Sequence, residues 1–153
     1  MNLDEKFMQE ALNEAMKAYE LKEIPIGAVV VRNGEIVGRG HNLKETLKDA
    51  TLHAEISAIK DACKNLGGWR LPGCTMYVTL EPCSMCAGAL VNARVERLVI
   101  GARDLKTGAC GSVLNIAQME KLNHQIELSF GVMEVECSTL LSQFFSELRK
   151  SKK

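Results

Sequence analysis

The chain has 153 residues, of which 46% are hydrophobic and 25% are charged. This length and composition are typical of one globular domain and exclude a disordered or fibrous protein. Nineteen lysines and arginines balance nineteen aspartates and glutamates, which excludes a protein that binds nucleic acid indiscriminately through overall positive charge.

The first predicted elements are a helix and a β-hairpin. Residues 7–19 carry apolar side chains at helical spacing, Asp4 stands where an N-cap is expected, and the pattern stops before Pro25. Strands are predicted over residues 28–32 and 35–39, because the Asn-Gly pair between them supplies the positive φ angles of a two-residue type I′ turn.

The rest of the chain alternates between helices and strands. Further helices are predicted over residues 54–64, 83–93, 114–121 and 138–150, strands over 74–80 and 97–101 with a weak one at 132–135, and an ordered loop over 102–112. No repeat or linker marks a second domain. We therefore expect a single α/β domain over residues 1–153, with three α/β/α layers and helices on both faces of a mixed central sheet. Residues 150–153 are expected to form a mobile basic tail.

The six cysteines must be interpreted in the light of the cellular compartment. Asp4, Glu5 and Lys6 interrupt the N-terminus where a signal peptide would be apolar, so we expect a cytoplasmic protein with reduced thiols. The longest apolar stretch, residues 24–31, is too short to span a membrane, which takes about 20 residues. Clustered cysteines then indicate metal binding or catalysis.

Cys83 and Cys86 stand at the start of a predicted helix, at positions i and i+3. Both thiolates can therefore reach one ion, and the helix N-terminus favours the thiolate form. Taken alone, this pair fits a redox couple or half of a structural zinc site equally well. The other four cysteines are isolated in the sequence and are predicted to be small buried thiols: Cys63, Cys74, Cys110 and Cys137.

His53 and Glu55 make the metal interpretation more specific. One imidazole and two thiolates form a site with three protein ligands, which keeps a position open for water and lowers the pKa of that water. Glu55 would then be a general acid/base beside the metal. In isolation, Glu55 is better explained as an acidic residue that stabilises the N-terminus of its helix.

Together the two stretches give H-x-E and P-C-x-x-C, the signature of zinc-dependent nucleobase deaminases, and the chain resembles that superfamily. More narrowly, it is similar to the bacterial tRNA-specific adenosine deaminases over about residues 7–149. The resemblance includes IPIGA at 24–28, GHN at 40–42, CSMCAGA at 83–89, GARDLKTGACG at 101–111, LNH at 122–124, and Phe144-Phe145 followed by Arg149.

The resemblance implies a cytidine deaminase-like fold and hydrolytic conversion of adenosine to inosine at the wobble position of a tRNA anticodon. It also implies a homodimer and one zinc ion per subunit, held by His53, Cys83 and Cys86. Glu55 would be the catalytic residue, which passes a proton to N1 of adenine and then to the departing ammonia. Substrate contacts are implied or suggested for four residues: Asn42, Asp104, Lys106 and Arg149.

These assignments have alternatives. Asn42 is also explained as the residue that ends its strand. Asp104 and Lys106 are also explained as charged loop residues whose side chains are solvated. A guanine or cytosine deaminase acting on free bases would use the same zinc and glutamate, but the segments at 86–89 and 101–111 favour the RNA-acting branch. A noncatalytic zinc-stabilised binding module would need neither Glu55 nor an open ligand position.

One stretch departs from the sequence that is usual in this family. Members of this family commonly have Asp-Pro-Thr-Ala before H-A-E, whereas residues 49–52 here are Asp-Ala-Thr-Leu. This difference is expected to affect the substrate entrance and not the ligands.

Residues 141–153 carry four bases and one acid. This basic end is either a solvated terminus or a contact for tRNA phosphates.

Overall fold

The computed structural model describes residues 1–152, and its first element confirms the predicted helix. Helix α1 spans Leu3–Glu20. The N-cap is Asn2, and the prediction of Asp4 was wrong: Asn2 Oδ1 accepts a hydrogen bond from the Glu5 N–H at 2.8 Å, and the Glu5 carboxylate accepts one from the Asn2 N–H. One face of α1 is buried: Phe7, Met8, Ala11, Leu12, Glu14, Ala15 and Ala18.

Asp4 is held by distant parts of the chain. Its carboxylate pairs with the Arg97 guanidinium, with Oδ2 and Nη2 2.9 Å apart, and accepts a hydrogen bond from the Tyr77 hydroxyl at 2.8 Å. Aspartate is favoured both at the N-cap and in the first turn of a helix. The local capping box of Asn2 and Glu5 places Asp4 in the first turn, where Arg97 and Tyr77 hold its carboxylate.

The central sheet has five strands: β1 (Gly27–Arg32), β2 (Glu35–His41), β3 (Thr75–Leu80), β4 (Arg97–Ala102) and β5 (Glu127–Phe130). The predicted hairpin is confirmed, and Asn33 and Gly34 have φ angles of 52° and 77°, as a type I′ turn requires. The strand order is β2-β1-β3-β4-β5. Strand β1 is antiparallel to β2 and β3, whereas β3, β4 and β5 are parallel, so the sheet is mixed, as expected.

Helices cover both faces of this sheet. Helices α2 (Ala54–Leu66) and α3 (Ser84–Asn92) pack on one face, and α1 and α4 (Glu134–Ser151) pack on the other. Alternate residues of each strand point to opposite faces. On β1, for example, Val30 lies in the core under α2 and α3, whereas Val29 lies in the core under α1. The predicted three-layer arrangement is confirmed.

The C-terminal third departs from the sequence-based expectations. Residues 114–121 form turns and not a helix, because their backbone groups bond to the preceding loop: Ile116 N–H donates to the Ala109 carbonyl and Gly111 N–H to that of Leu114. The last strand is β5 and not residues 132–135, and α4 begins at Glu134, earlier than predicted. Parallel pairing with β4 determines where β5 lies.

The end of the chain extends the last helix. Lys150 and Ser151 belong to α4, while Lys153 lies outside the described residues, so mobility of residues 150–153 stays a prediction. Within residues 1–152, no helix has both the length and the apolar character that a membrane span requires.

Helix α2 approaches strand β2 very closely at Gly40. A Cβ atom on Gly40 would lie 2.5 Å from the Ala54 carbonyl oxygen and would also overlap the Ala58 nitrogen. Only a residue without a side chain allows this approach. The contact fixes the first turn of α2, which carries the predicted site residues, against the sheet.

Candidate active site

His53, Cys83 and Cys86 come together at the ends of two helices. His53 is the N-cap of α2 and Cys83 is the N-cap of α3. The Nδ1 atom of His53 lies 3.6 Å from Sγ of Cys83 and 3.6 Å from Sγ of Cys86. A tetrahedral zinc ion with Zn–N of about 2.0–2.1 Å and Zn–S of about 2.3 Å requires an N···S separation of about 3.6 Å. The three donors therefore fit zinc in both chemistry and spacing.

The two thiols are electrostatically different. The hydrogen bond from the Cys86 thiol, assisted by the backbone N–H groups of Cys86 and Met85, lowers the pKa of Cys83 to about 5, although burial opposes this. The same hydrogen bond, together with burial, raises the pKa of Cys86. Since thiolates are the ligand form of cysteine, binding of a metal would displace the remaining thiol proton.

Glu55 lies in the first turn of α2 and is only 4% exposed. Burial raises the pKa of its carboxyl to about 7, and the negative charge of Cys83 adds to this effect, while hydrogen bonds from its own N–H and from Cys86 oppose it. The carboxyl lines the same cavity as His53 and Cys83. A carboxyl in this environment is suited to exchange protons with a substrate near neutral pH, which a solvent-exposed helix cap would not be.

A cavity of about 610 Å³ opens beside these residues, a size suited to a small-molecule group such as a nucleobase. Three of the four predicted substrate contacts line it: Asn42, Asp104 and Lys106. The fourth, Arg149, is an exposed residue of the last turn of α4 and is not part of the lining. The remaining lining residues are Ile24, Ile26, Lys44, His53, Ala54, Glu55, Leu80, Glu81, Cys83, Arg103, Leu105, Thr107, Leu141 and Phe145.

Asn42 is a buried amide in the cavity wall. Its Nδ2 donates to the Ile24 carbonyl at 3.4 Å and its Oδ1 accepts from the Lys44 N–H at 3.2 Å. Because a primary amide has two donor hydrogens and two acceptor lone pairs, one of each remains for a ligand. Asn42 therefore stabilises the local backbone and retains the capacity to contact a base.

Asp104 organises the loop in which it lies. Its carboxylate accepts hydrogen bonds from the Lys106 N–H at 3.0 Å, the Thr107 N–H at 3.0 Å and the Thr107 hydroxyl at 2.6 Å. These bonds lower the pKa of Asp104, although burial opposes them. The turn brings Lys106 to the cavity rim with its side chain exposed.

The stretch before His53 keeps an ordered turn without the family's proline. Asp49 Oδ1 accepts hydrogen bonds from the N–H of Thr51 at 2.9 Å and from its hydroxyl at 2.7 Å. Leu52 does not line the cavity that the described residues form. The stretch that differs from the family's Asp-Pro-Thr-Ala therefore contributes no residue to the lining of this cavity.

Sequence reasoning missed Glu81, a buried carboxylate directly before Pro82-Cys83. Its oxygens accept hydrogen bonds from the loop that contains Asp104. The signal was present in the sequence: a carboxylate that directly follows the apolar strand β3 is buried only with hydrogen-bond partners.

Comparison with known proteins agrees with this geometry. The family model of the MafB19-like deaminases matches residues 2–149. A tRNA-specific adenosine deaminase of Bacillus subtilis is 57% identical over 153 residues, which cover all of this chain and 95% of that protein.

Two solved structures define the relation further. One comes from work on A-to-I editing by tRNA:A34 deaminases at the wobble position; it has 45% identity and a TM-score of 0.86, and the match covers 89% of this chain and 99% of that one. A guanine deaminase of Bacillus subtilis is more distant, with 32% identity, a TM-score of 0.63, and coverage of 78% and 86%. The chain therefore belongs to the MafB19-like deaminases and to the family of the tRNA-specific adenosine deaminases.

Proposed function

We propose that this protein hydrolyses adenosine to inosine at the wobble position of a tRNA anticodon. The observation that carries the proposal is the convergence of Glu55 with His53 and Cys83 in one cavity. Similarity to the tRNA-acting relatives at 57% and 45% identity, against 32% for the guanine deaminase, supports the tRNA substrate.

His53, Cys83 and Cys86 would hold one zinc ion per subunit, since their donor atoms lie within 4.8 Å of one another. When bound, the ion supplies a Lewis acid that makes water nucleophilic near neutral pH. Two of these residues, His53 and Cys83, also line the cavity.

Glu55 moves the protons of the reaction. Its carboxylate accepts a proton from the attacking water and delivers it to N1 of adenine. The water oxygen forms a bond to C6, the C6–N6 bond breaks, and Glu55 passes the second proton to the departing nitrogen, which leaves as ammonia. The balance is adenosine plus water to inosine plus ammonia.

The cavity favours a base that is already unstacked. Ile24, Ile26 and Leu80 supply apolar walls, and Asn42 supplies a polar group that can recognise the purine edge. An anticodon loop presents its bases unpaired, so placing one of them in the cavity costs less than opening a duplex. Lys106 at the rim and Arg149 on α4 are proposed to contact the RNA backbone, and Asp104 to contact it or hold the loop that does.

The proposed assembly is a homodimer in the cytoplasm. Leu105, Val113 and Leu114 expose large apolar side chains in one part of the chain, Leu105 to 79%, and such surface is commonly covered in an oligomer. All six cysteines are free, which suits a reducing compartment. Light scattering on the purified protein tests the dimer directly.

The decisive experiment supplies purified protein with an anticodon stem-loop bearing a wobble adenosine, beside free guanine and free cytosine. We expect inosine and ammonia from the stem-loop alone. A matched stem-loop, in which the adenosine is moved into the paired stem, should not react. Turnover of guanine without turnover of the stem-loop would instead identify a guanine deaminase.

A further inference from the structure

Glu81 is a buried carboxylate that the reaction itself does not use. It is 2% exposed and lies between β3 and Cys83. Its Oε1 accepts hydrogen bonds from the Asp104 N–H at 3.1 Å and the Ser112 hydroxyl at 2.5 Å. Its Oε2 accepts from the N–H groups of Cys110 at 3.0 Å and Ser112 at 3.1 Å. Each oxygen therefore holds two donors of one loop.

All of these partners lie in residues 103–112, here called the pocket loop. No lysine or arginine among residues 1–152 forms an ion pair with Glu81. A buried charge without a counter-ion is tolerated only when hydrogen bonds satisfy it. The pocket loop thus satisfies the charge of Glu81, and Glu81 in turn fixes the pocket loop.

Backbone contacts join the same two segments. Glu81 N–H donates to the Ala102 carbonyl at 2.9 Å, and Ala109 N–H donates to the Pro82 carbonyl at 2.8 Å. The pocket loop passes so close to the carboxylate that a Cβ atom on Gly108 would overlap it. The carboxylate and the loop therefore form one rigid contact immediately before the metal ligand Cys83.

The pocket loop also forms one wall of the cavity, through residues 103–107. We propose that Glu81 is a positioning residue, whose carboxylate fixes the pocket loop at the distance from Cys83 and Glu55 that nucleotide binding requires. This inference rests on the proposed function. It adds that affinity for the RNA depends on a side chain that acts by holding the pocket loop in place.

Replacement of Glu81 by glutamine tests the role, because it keeps the shape and removes acceptor capacity. The amide of the glutamine fits best with its NH₂ group in the place of Oε1. The Ser112 hydroxyl can then accept a hydrogen bond from this NH₂ group, but the Asp104 N–H is left without an acceptor. The turn that carries Lys106 is thereby released. Glu96→Gln is the matched control, because Glu96 is exposed and lies outside the pocket loop.

We expect Glu81→Gln to raise KM for the stem-loop by about 10-fold while kcat changes by less than about 3-fold, since lost uniform binding acts on KM. Zinc content should stay at the parent value. The amide of Asp104 should exchange its hydrogen faster than in the parent protein, as followed by NMR. Glu96→Gln should match the parent in all three measurements.

An unchanged KM in folded Glu81→Gln would overturn the proposal, as would loss of zinc with the affinity, which would make Glu81 a support of the metal site. If Glu81→Gln does not fold, Ser112→Ala removes one hydrogen bond to the same carboxylate, that of the hydroxyl. An unchanged KM and an unchanged exchange rate of the Asp104 amide in that variant would overturn the proposal. If the parent protein does not act on the stem-loop, the proposed function fails. The exchange rate of Asp104 still decides whether Glu81 fixes the loop.

Discussion

Nδ1 of His53 and Sγ of Cys83 lie 3.6 Å apart although 30 positions separate the two residues in the chain. Each is the N-cap of its helix, and strand β3 connects the two helices. Helix α2 precedes β3 in the chain, and α3 begins just after β3 ends. The N-termini of both helices meet near the carboxyl end of β3. The positive ends of both helix dipoles therefore favour thiolate ligands.

Replacement of Glu55 by alanine should abolish turnover and leave zinc bound, because the change removes a proton carrier and no ligand. General acid/base catalysis contributes about 10²- to 10⁴-fold to a rate, so we expect at least that loss in inosine formation under single-turnover conditions. Metal analysis of the same preparation measures the zinc. Glu35→Ala, at the exposed hairpin, is the control. Loss of zinc from Glu55→Ala would place Glu55 among the ligands.

Replacement of Cys86 by alanine should remove zinc, whereas replacement of Cys63 should not. Sγ of Cys86 belongs to the group of three side chains proposed to hold the metal, while the Cys63 thiol donates to the Trp69 carbonyl. Zinc per subunit, measured on both purified variants, decides this. Retention of a full equivalent of zinc by Cys86→Ala would contradict the assignment of the site.

Replacement of Gly40 by alanine should destabilise the protein and weaken metal retention together. The new Cβ would force α2 away from β2, and overpacking of this kind costs about 1–3 kcal/mol. Gly68→Ala is the control, since a Cβ there meets no atom within 4 Å. Thermal unfolding and the rate of zinc loss to a chelator measure the two effects. Equal behaviour of the two variants would show that the contact is not tight.

Glu14 should make the free energy of unfolding depend on pH in the acid range. Burial alone would raise its pKa, but hydrogen bonds with His41 and Lys17 outweigh burial and lower it from 4.5 to about 2. The folded state therefore holds this proton less tightly than the unfolded state. The resulting stabilisation is complete above pH 4.5 and is lost as the pH falls towards 2; it amounts to at most about 3 kcal/mol.

The variant Glu14→Gln cannot titrate at this position. Urea unfolding at pH 7 and pH 3 should therefore show a smaller loss of stability on acidification than in the parent protein. Glu35→Gln, which is exposed, should keep the parent's acid dependence. If Glu14→Gln and the parent lost equal stability between these pH values, Glu14 would not be the group responsible.

Arg149 should contribute to RNA affinity through charge. If Arg149 contacts a phosphate, Arg149→Ala weakens binding of the stem-loop whatever its base sequence. The slope of log affinity against log salt concentration also becomes less negative by about 1. Lys64→Ala, in the last turn of α2, removes an exposed charge elsewhere and serves as the control. An unchanged slope in Arg149→Ala would show that Arg149 does not contact a phosphate.

Local patterns in the sequence were sufficient for most of the elements around the site. Asn33-Gly34 predicted the hairpin because few residues accept its φ angles. The residue types and helix starts of His53, Cys83 and Cys86 favoured a site with three ligands, and the resemblance to the deaminases implied the full set with Glu55 beside it. The structure brings these four residues together as that pattern requires.

Other features depended on contacts between distant segments. The position of β5 follows from its pairing with β4, and the non-helical course of residues 114–121 follows from bonds to the preceding loop. The capping box of Asn2 and Glu5 is local, but the partners of Asp4, Arg97 and Tyr77, are distant in sequence. Local propensity cannot contain this information, because tertiary interactions override differences of about 1 kcal/mol or less.

The sequence by itself predicted the class of reaction and the residues that we propose as metal donors and proton carrier. Only the tertiary structure decided how the cavity is built, which predicted contacts reach it, and that Glu81 accepts hydrogen bonds from the loop that forms part of its wall. The physical reason is that ligand chemistry depends on residue type and short spacing, whereas a cavity wall depends on hydrogen bonds between segments that meet only in the folded chain.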